Sequence, residues 1–209
     1  IDELNSELDQ SEEFGNTVFP LLTNGRLRDR RIGLVGLGSL PSGVTDAVES
    51  AFSSTGADLV AVGAVRQPPT REDLAADLQD TRFRTIGTSD EMLSGYGRTV
   101  GRQLVTGGRI LTLTRSTLMS QSSGQFSGLD GLIFYRAEAD EEQDPEETEE
   151  AERLDRALIE GAAMTRARLV GVETLDADPS TVSFFRDLNV TTVDNIDRPP
   201  GKVSLVYVL

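Results

Sequence analysis

Apolar residues fall along this chain in two rhythms. Five short unbroken runs, RRIGLVGL ending at Leu37, ADLVAVGAV ending at Val65, LDGLIFYRA around Ile133, ARLVGVET around Val170 and NVTTVDN around Val193, read as buried strands. Between them apolar positions recur every three or four residues, the spacing of one helix face. This spacing predicts a helix from Pro41 to about Ser53 on Val44, Ala47, Val48 and Ala51, and another over TREDLAADLQ with Thr70 as N-cap. A single helix is expected from Ser89 to about Leu113 on Leu93, Val100, Leu104 and Leu111, closed by the polar cluster SQSSGQFSG. Further helices are expected from Glu146 to Met164 and over PSTVSFFRD. The ending PPGKVSLVYVL suits a helix or a strand, and Asp197 as N-cap ahead of Pro199 favours the helix.

Strands of continuous apolar character alternating with helices define an α/β protein. The expectation is one three-layer domain over residues 15–209, Rossmann-like or flavodoxin-like, with a mostly parallel five-stranded sheet. Residues 1–14 precede it. There Ile1, Leu4 and Leu8 follow the three-then-four spacing of a coiled coil, too short to stand alone, and read as the C-terminal end of a stalk helix. Phe14, Val18, Phe19, Leu21 and Leu22 are then expected to bring the chain onto the core.

The carboxyl edge of such a sheet is where ligands settle, because loops converge there and helix N-termini face it. That edge should gather Gly36, Gly38 and Ser39 after the first strand, Arg66 after the second and Arg136 after the third. Glu173 after the fourth and Asp194, Asn195 and Asp197 after the fifth complete the set of candidate ligand-binding residues. The glycines only half fit a dinucleotide fingerprint, since the third comes at Gly43, two residues late, with Pro41 in the turn. The second strand also runs into Arg66, where a ribose-binding acid belongs. A tight turn is the simpler use of these glycines, and no cofactor is implied by them. VDNID offers Asp194 and Asp197, with Glu173 nearby, to a hard cation; Asx side chains use the same geometry for turns and caps.

Composition narrows the chemistry. The 209 residues contain no cysteine, histidine or tryptophan, and 35 acids against 20 bases give a net charge of −15. Thiolate and imidazole ligation, thiol nucleophiles and Ser-His-Asp catalysis are therefore excluded, and so large a negative charge disfavours nucleic acid. The charge is concentrated, because residues 138–152 hold ten acids and no base. This segment reads as a solvated, mobile acidic loop near 138–150. Met92, Met119 and Met164 are soft enough for monovalent copper but lie scattered among separate elements, and packing explains them better. Arg98, Arg102 and Arg109 form a stripe that reads as a solvated helix face paired with local acids, or as one that meets an anionic ligand or lipid headgroups. Gly97 and Gly101 would let their helix pack closely on the sheet.

Several stretches together resemble the actinobacterial MctB-like family of copper transport outer membrane proteins. They are EEFGNTVFPLLTNGRLRDRRIGLVGL, GYGRTVGRQLVTGGRIL, GVETLDADPSTVSFF and the tail TTVDNIDRPPGKVSLVYVL, with Asp194, Asn195, Asp197 and Gly201 the most specific positions. The resemblance implies an amino-terminal membrane-spanning helix, a coiled coil and an α/β domain outside the cytoplasm, acting in copper transport or homeostasis. Copper enters only through this resemblance. It further implies anchoring through a helix upstream of Ile1, self-association through the coiled coil, and an envelope protein or other envelope component as partner. Two readings follow: a non-enzymatic, membrane-tethered envelope module, or an α/β enzyme or small-ligand binder holding a cation or sugar on Glu173, Asp194 and Asp197.

Overall fold

A computed structural model describes residues 15, 17–137 and 144–209, so the expected stalk end at 1–14 lies outside the described residues. Helical residues 17–23 (α1) lead into β1 (Arg31–Leu37), α2 (Ser42–Phe52), β2 (Asp58–Val65), α3 (Arg71–Asp77), α4 (Asp90–Thr106) and α5 (Arg109–Leu118). There follow β3 (Met119–Gly124), β4 (Gly131–Arg136), α6 (Pro145–Ala163), β5 (Arg168–Val172), α7 (Val182–Asp187), β6 (Thr191–Val193) and α8 (Pro199–Val208). The strands form one sheet in the order β3-β2-β1-β4-β5-β6. Every pairing is parallel except β2 with β3.

The α/β class and a mostly parallel sheet agree with the apolar pattern, and all five expected strands are present. Their count is corrected to six, because SQSSG forms part of edge strand β3 rather than a break. Only Met119 of β3 is buried, so this strand carries no hydrophobic run to betray it; its backbone pairs with β2 on one side only. The central strands explain the others. Val35 and Leu37 of β1 point into one core and Ile32 and Leu34 into the other, and Leu132 and Phe134 of β4 alternate with Ile133 in the same way. Each fully buried aliphatic or phenyl side chain contributes about 1.5–3 kcal/mol. One core is closed by α3 to α7, the other by α1, α2 and α8.

The long helix expected from Ser89 to Leu113 is two helices. Ser89 caps the first by accepting from Met92 N, as a serine N-cap should. Gly107, at φ 76, ends it, and the side-chain oxygen of Gln103 accepts from Leu111 N at 2.8 Å to start the second. Gly97 and Gly101 pack on a helix rather than on the sheet. A methyl on Gly97 would lie 2.6 Å from the Ala157 methyl, and one on Gly101 would overlap the Leu158 carbonyl of α6. Gly161 of α6 meets the Arg98 carbonyl in return. Backbones therefore touch along the α4–α6 crossing, and no larger side chain fits there.

In the entry segment Phe19 goes into the core while Leu21 and Leu22 remain exposed. The tail is a helix, with Arg198 rather than Asp197 as N-cap. The acidic segment also differs from a plain loop: from Pro145 onward its acids lie on α6, opened by Asp144, whose carboxylate accepts from Glu146 N.

Candidate functional site

Chain direction reverses its sideways progress at β1. The connection from β1 leads to β2 on one flank, whereas β4 pairs with the other flank, so the loops leaving β1 and β4 diverge. Such a switch point is the usual ligand crevice of an open α/β sheet. Here side chains of the protein itself meet at it. Gly38 has φ 92, and a methyl on it would come within 2.8 Å of the Gln67 amide oxygen and 3.1 Å of the Ala137 methyl. Its missing side chain lets Gln67, which precedes a cis proline at Pro68, reach over the loop. Gln67 Nε2 donates to Asp155 Oδ1 at 2.7 Å.

Asp155 is fully buried on α6, between Leu154 and Leu158. Its second oxygen faces Arg136 Nε at 3.4 Å. Burial pushes the Asp155 carboxyl up to about 7, against the opposing pull of Arg136 and the Gln67 hydrogen bond. Arg136 lies with its guanidinium 4.1 Å from the centre of the Phe184 ring, and Arg156 approaches the same ring at 5.1 Å. Arg156 is held by Glu152 through Nε and Nη2.

A second ionic cluster ties the start of α3, α4 and α6 together. Arg71 Nη1 pairs with Glu150 at 2.6 Å and Asp90 at 3.0 Å, while its Nε donates to the Ile86 carbonyl. Arg153 pairs with Asp90 and with Glu149. The two arginines hold the Asp90 carboxyl below its ordinary range. Glu149, Glu150 and Glu152 of the acidic run are thus bound to arginines rather than simply solvated.

The residues expected at the carboxyl edge are placed as follows. Gly36 lets the loop close on Leu40, whose Cβ would lie 2.8 Å from a methyl there, and Ser39 is exposed. Arg66 turns toward α5, donating from Nε to the Thr117 carbonyl at 3.3 Å, and does not join Arg136. Glu173 accepts from Ser180 Oγ on both oxygens and from Thr181 N at 2.8 Å, which anchors the turn into α7. Asp197 accepts from Leu175 N at 2.9 Å, Asn195 adopts φ 54, and Asp194 is exposed. A methyl on Gly201 would overlap the Asn195 carbonyl, so the VDNID-xxx-G stretch is a backbone lock between β6 and α8. Among the described residues no three acidic side chains are close enough together to hold a metal ion.

Asp155, Gln67 and Phe184 went unnoticed in the sequence. One signal was available: Asp155 falls on the same helical stripe as Ala151, Leu154, Leu158 and Ala162, where a carboxylate has to be paired. The soft donors do not assemble. Met119 is buried on β3 beside Gly63, Met92 is on the first turn of α4, and Met164 is largely exposed at the end of α6.

These features define an α/β protein whose switch point is filled by its own buried carboxylate, amide and guanidinium. Residues 1–209, the whole chain, match the family described as copper transport outer membrane protein, MctB, and the chain belongs to that family. No curated protein matches it significantly. The family name ties the protein to copper transport and to the outer membrane; among the described residues no helix is long and apolar enough to cross a membrane.

Proposed function

We propose that this chain serves copper homeostasis as the extracytoplasmic domain of a membrane-tethered envelope protein, acting by holding another envelope component rather than by catalysis. Copper, the cargo named by the family, is bound elsewhere than in these side chains. The observation that carries this reading is the donor set. Monovalent copper wants thiolate, thioether or imidazole; the chain has neither cysteine nor histidine, and its three methionines belong to three different elements. Support also comes from the switch point, where Asp155 and Gln67 bond each other across the crevice that would receive a cofactor.

The test replaces Met92, Met119 and Met164 together by leucine in the native host. Leucine conserves volume, so the fold should survive. Copper tolerance equal to wild type is expected, together with substoichiometric copper on the wild-type chain after equilibrium dialysis against monovalent copper. Loss of tolerance in a variant that melts normally, or stoichiometric copper on the purified chain, would overturn the proposal.

A further inference from the structure

Opposite the carboxyl edge of the sheet, where β4 and β5 begin and α4 and α6 end, lies a cleft of about 760 Å³. Arg30, Arg102, Arg166 and Arg168 stand around it, and Val105 and Leu129 provide apolar lining. Among the described residues its only acidic side chain is Asp130, already occupied: Oδ1 pairs with Arg30 at 3.2 Å and Oδ2 accepts from Arg31 N at 2.9 Å. Arg102, Arg166 and Arg168 have no ion-pair or side-chain hydrogen-bond partner among the described residues. By contrast Arg98, Arg153 and Arg156, on the same two helices, are all paired.

In a chain of net charge −15, three cations around one concavity thus stand without an ion-pair partner among the described residues. Helix C-termini do attract cations, but the last turns of α4 and α6 satisfy themselves. Gly107 N donates to the Gln103 carbonyl and Thr165 N to that of Ala162. Like charges gathered without counterions repel one another, and that repulsion is relieved when an anion is shared between them. Guanidinium groups match phosphoryl oxygens through paired hydrogen bonds. The volume lies within the range of small-molecule sites and exceeds what a bare inorganic ion fills, and Val105 and Leu129 suit an apolar body next to the charged head.

We propose that this cleft binds an organic phosphate, its phosphoryl group held by Arg102, Arg166 and Arg168 and its apolar portion against Val105 and Leu129. The phosphate comes either from a soluble monoester or from a phospholipid headgroup. Calorimetric titration of the full chain with phenyl phosphate addresses the first source. Co-sedimentation with phosphatidylcholine vesicles, with and without phosphatidylglycerol, addresses the second. Saturable binding of at least one probe is expected. It should weaken about tenfold or more when Arg102, Arg166 and Arg168 are all replaced by glutamine, the equivalent of one charge-assisted hydrogen bond. Arg109→Gln, an exposed change on α5 outside the cleft, should leave binding unchanged. If the triple variant melts early, Arg166→Gln alone carries the comparison, since Arg166 is exposed between α6 and β5. Absence of binding to both probes, or binding that the substitutions do not weaken, overturns the proposal. So does salt-sensitive self-association abolished by the triple variant, which would assign the cleft to an acidic segment of a second copy.

Discussion

Asp155 is the most informative residue to perturb, because its environment makes a signed statement about pH. Its carboxyl moves from the ordinary value of 3.8 to about 7 on folding. The folded chain therefore holds this proton where the unfolded chain releases it. The associated stability is fully present below the unfolded value, and it is lost as pH rises through the folded one. A tenfold change in proton affinity corresponds to about 1.4 kcal/mol, so the loss between pH 5 and pH 8 is roughly 2–3 kcal/mol. Asp155→Asn removes the titration while keeping an oxygen for Gln67 Nε2, so any packing penalty it brings is constant with pH. Urea unfolding followed by far-ultraviolet circular dichroism, which suits a chain without tryptophan, gives the stability of both proteins at pH 5, 6, 7 and 8. Taking the difference between them cancels every other titrating group. Wild type should lose roughly 2–3 kcal/mol relative to the variant across that range. A difference that stays flat would mean that Arg136 keeps Asp155 ionised throughout, and the carboxyl at the switch point would then be a permanent anion.

Two further substitutions probe the frame around the site. Gly101→Ala gains about 1 kcal/mol of helix propensity but forces a methyl into the Leu158 carbonyl; a net loss of about 1–3 kcal/mol is expected in urea unfolding, and an unchanged or raised midpoint would contradict the described α4–α6 crossing. Glu173→Ala strips the acceptor from Thr181 N and Ser180 Oγ and should cost about 1–3 kcal/mol, with a phenyl phosphate affinity equal to wild type; stability equal to wild type would mean that the carboxylate is not the anchor of the turn into α7.

What the sequence disclosed follows from how local each signal is. β1, β4 and β5 were legible because strands covered on both faces need unbroken apolar runs, and Ile32 to Leu37 supplies one. β3 was not, because a strand paired on one side and facing solvent needs only backbone hydrogen bonds, and serines serve for that. Gly97 and Gly101 announced a close approach but suggested the sheet as its partner, since Gly161 of the true partner lies sixty residues further on in a different helix. The turn at Gly36 and Gly38 was likewise visible from spacing. Its purpose was not, because Gln67 and Asp155 are brought to it only when β1, β2 and α6 are assembled. Two of the carboxylates singled out near the carboxyl edge, Glu173 and Asp197, act as hydrogen-bond acceptors within the fold. They spend that capacity on backbone N–H groups, an equally good use of a carboxylate that no residue pattern distinguishes from ligand binding.

The two borders of the sheet also bear on how this protein behaves among its neighbours. β3 offers serine and glutamine to its surroundings, and β6 is only three residues long. Neither border presents the long greasy ribbon on which another chain could continue the ladder. Crowded copies would therefore stay as separate bodies instead of fusing into fibrils, and lasting encounters would have to be made through side chains on the helical faces and loops.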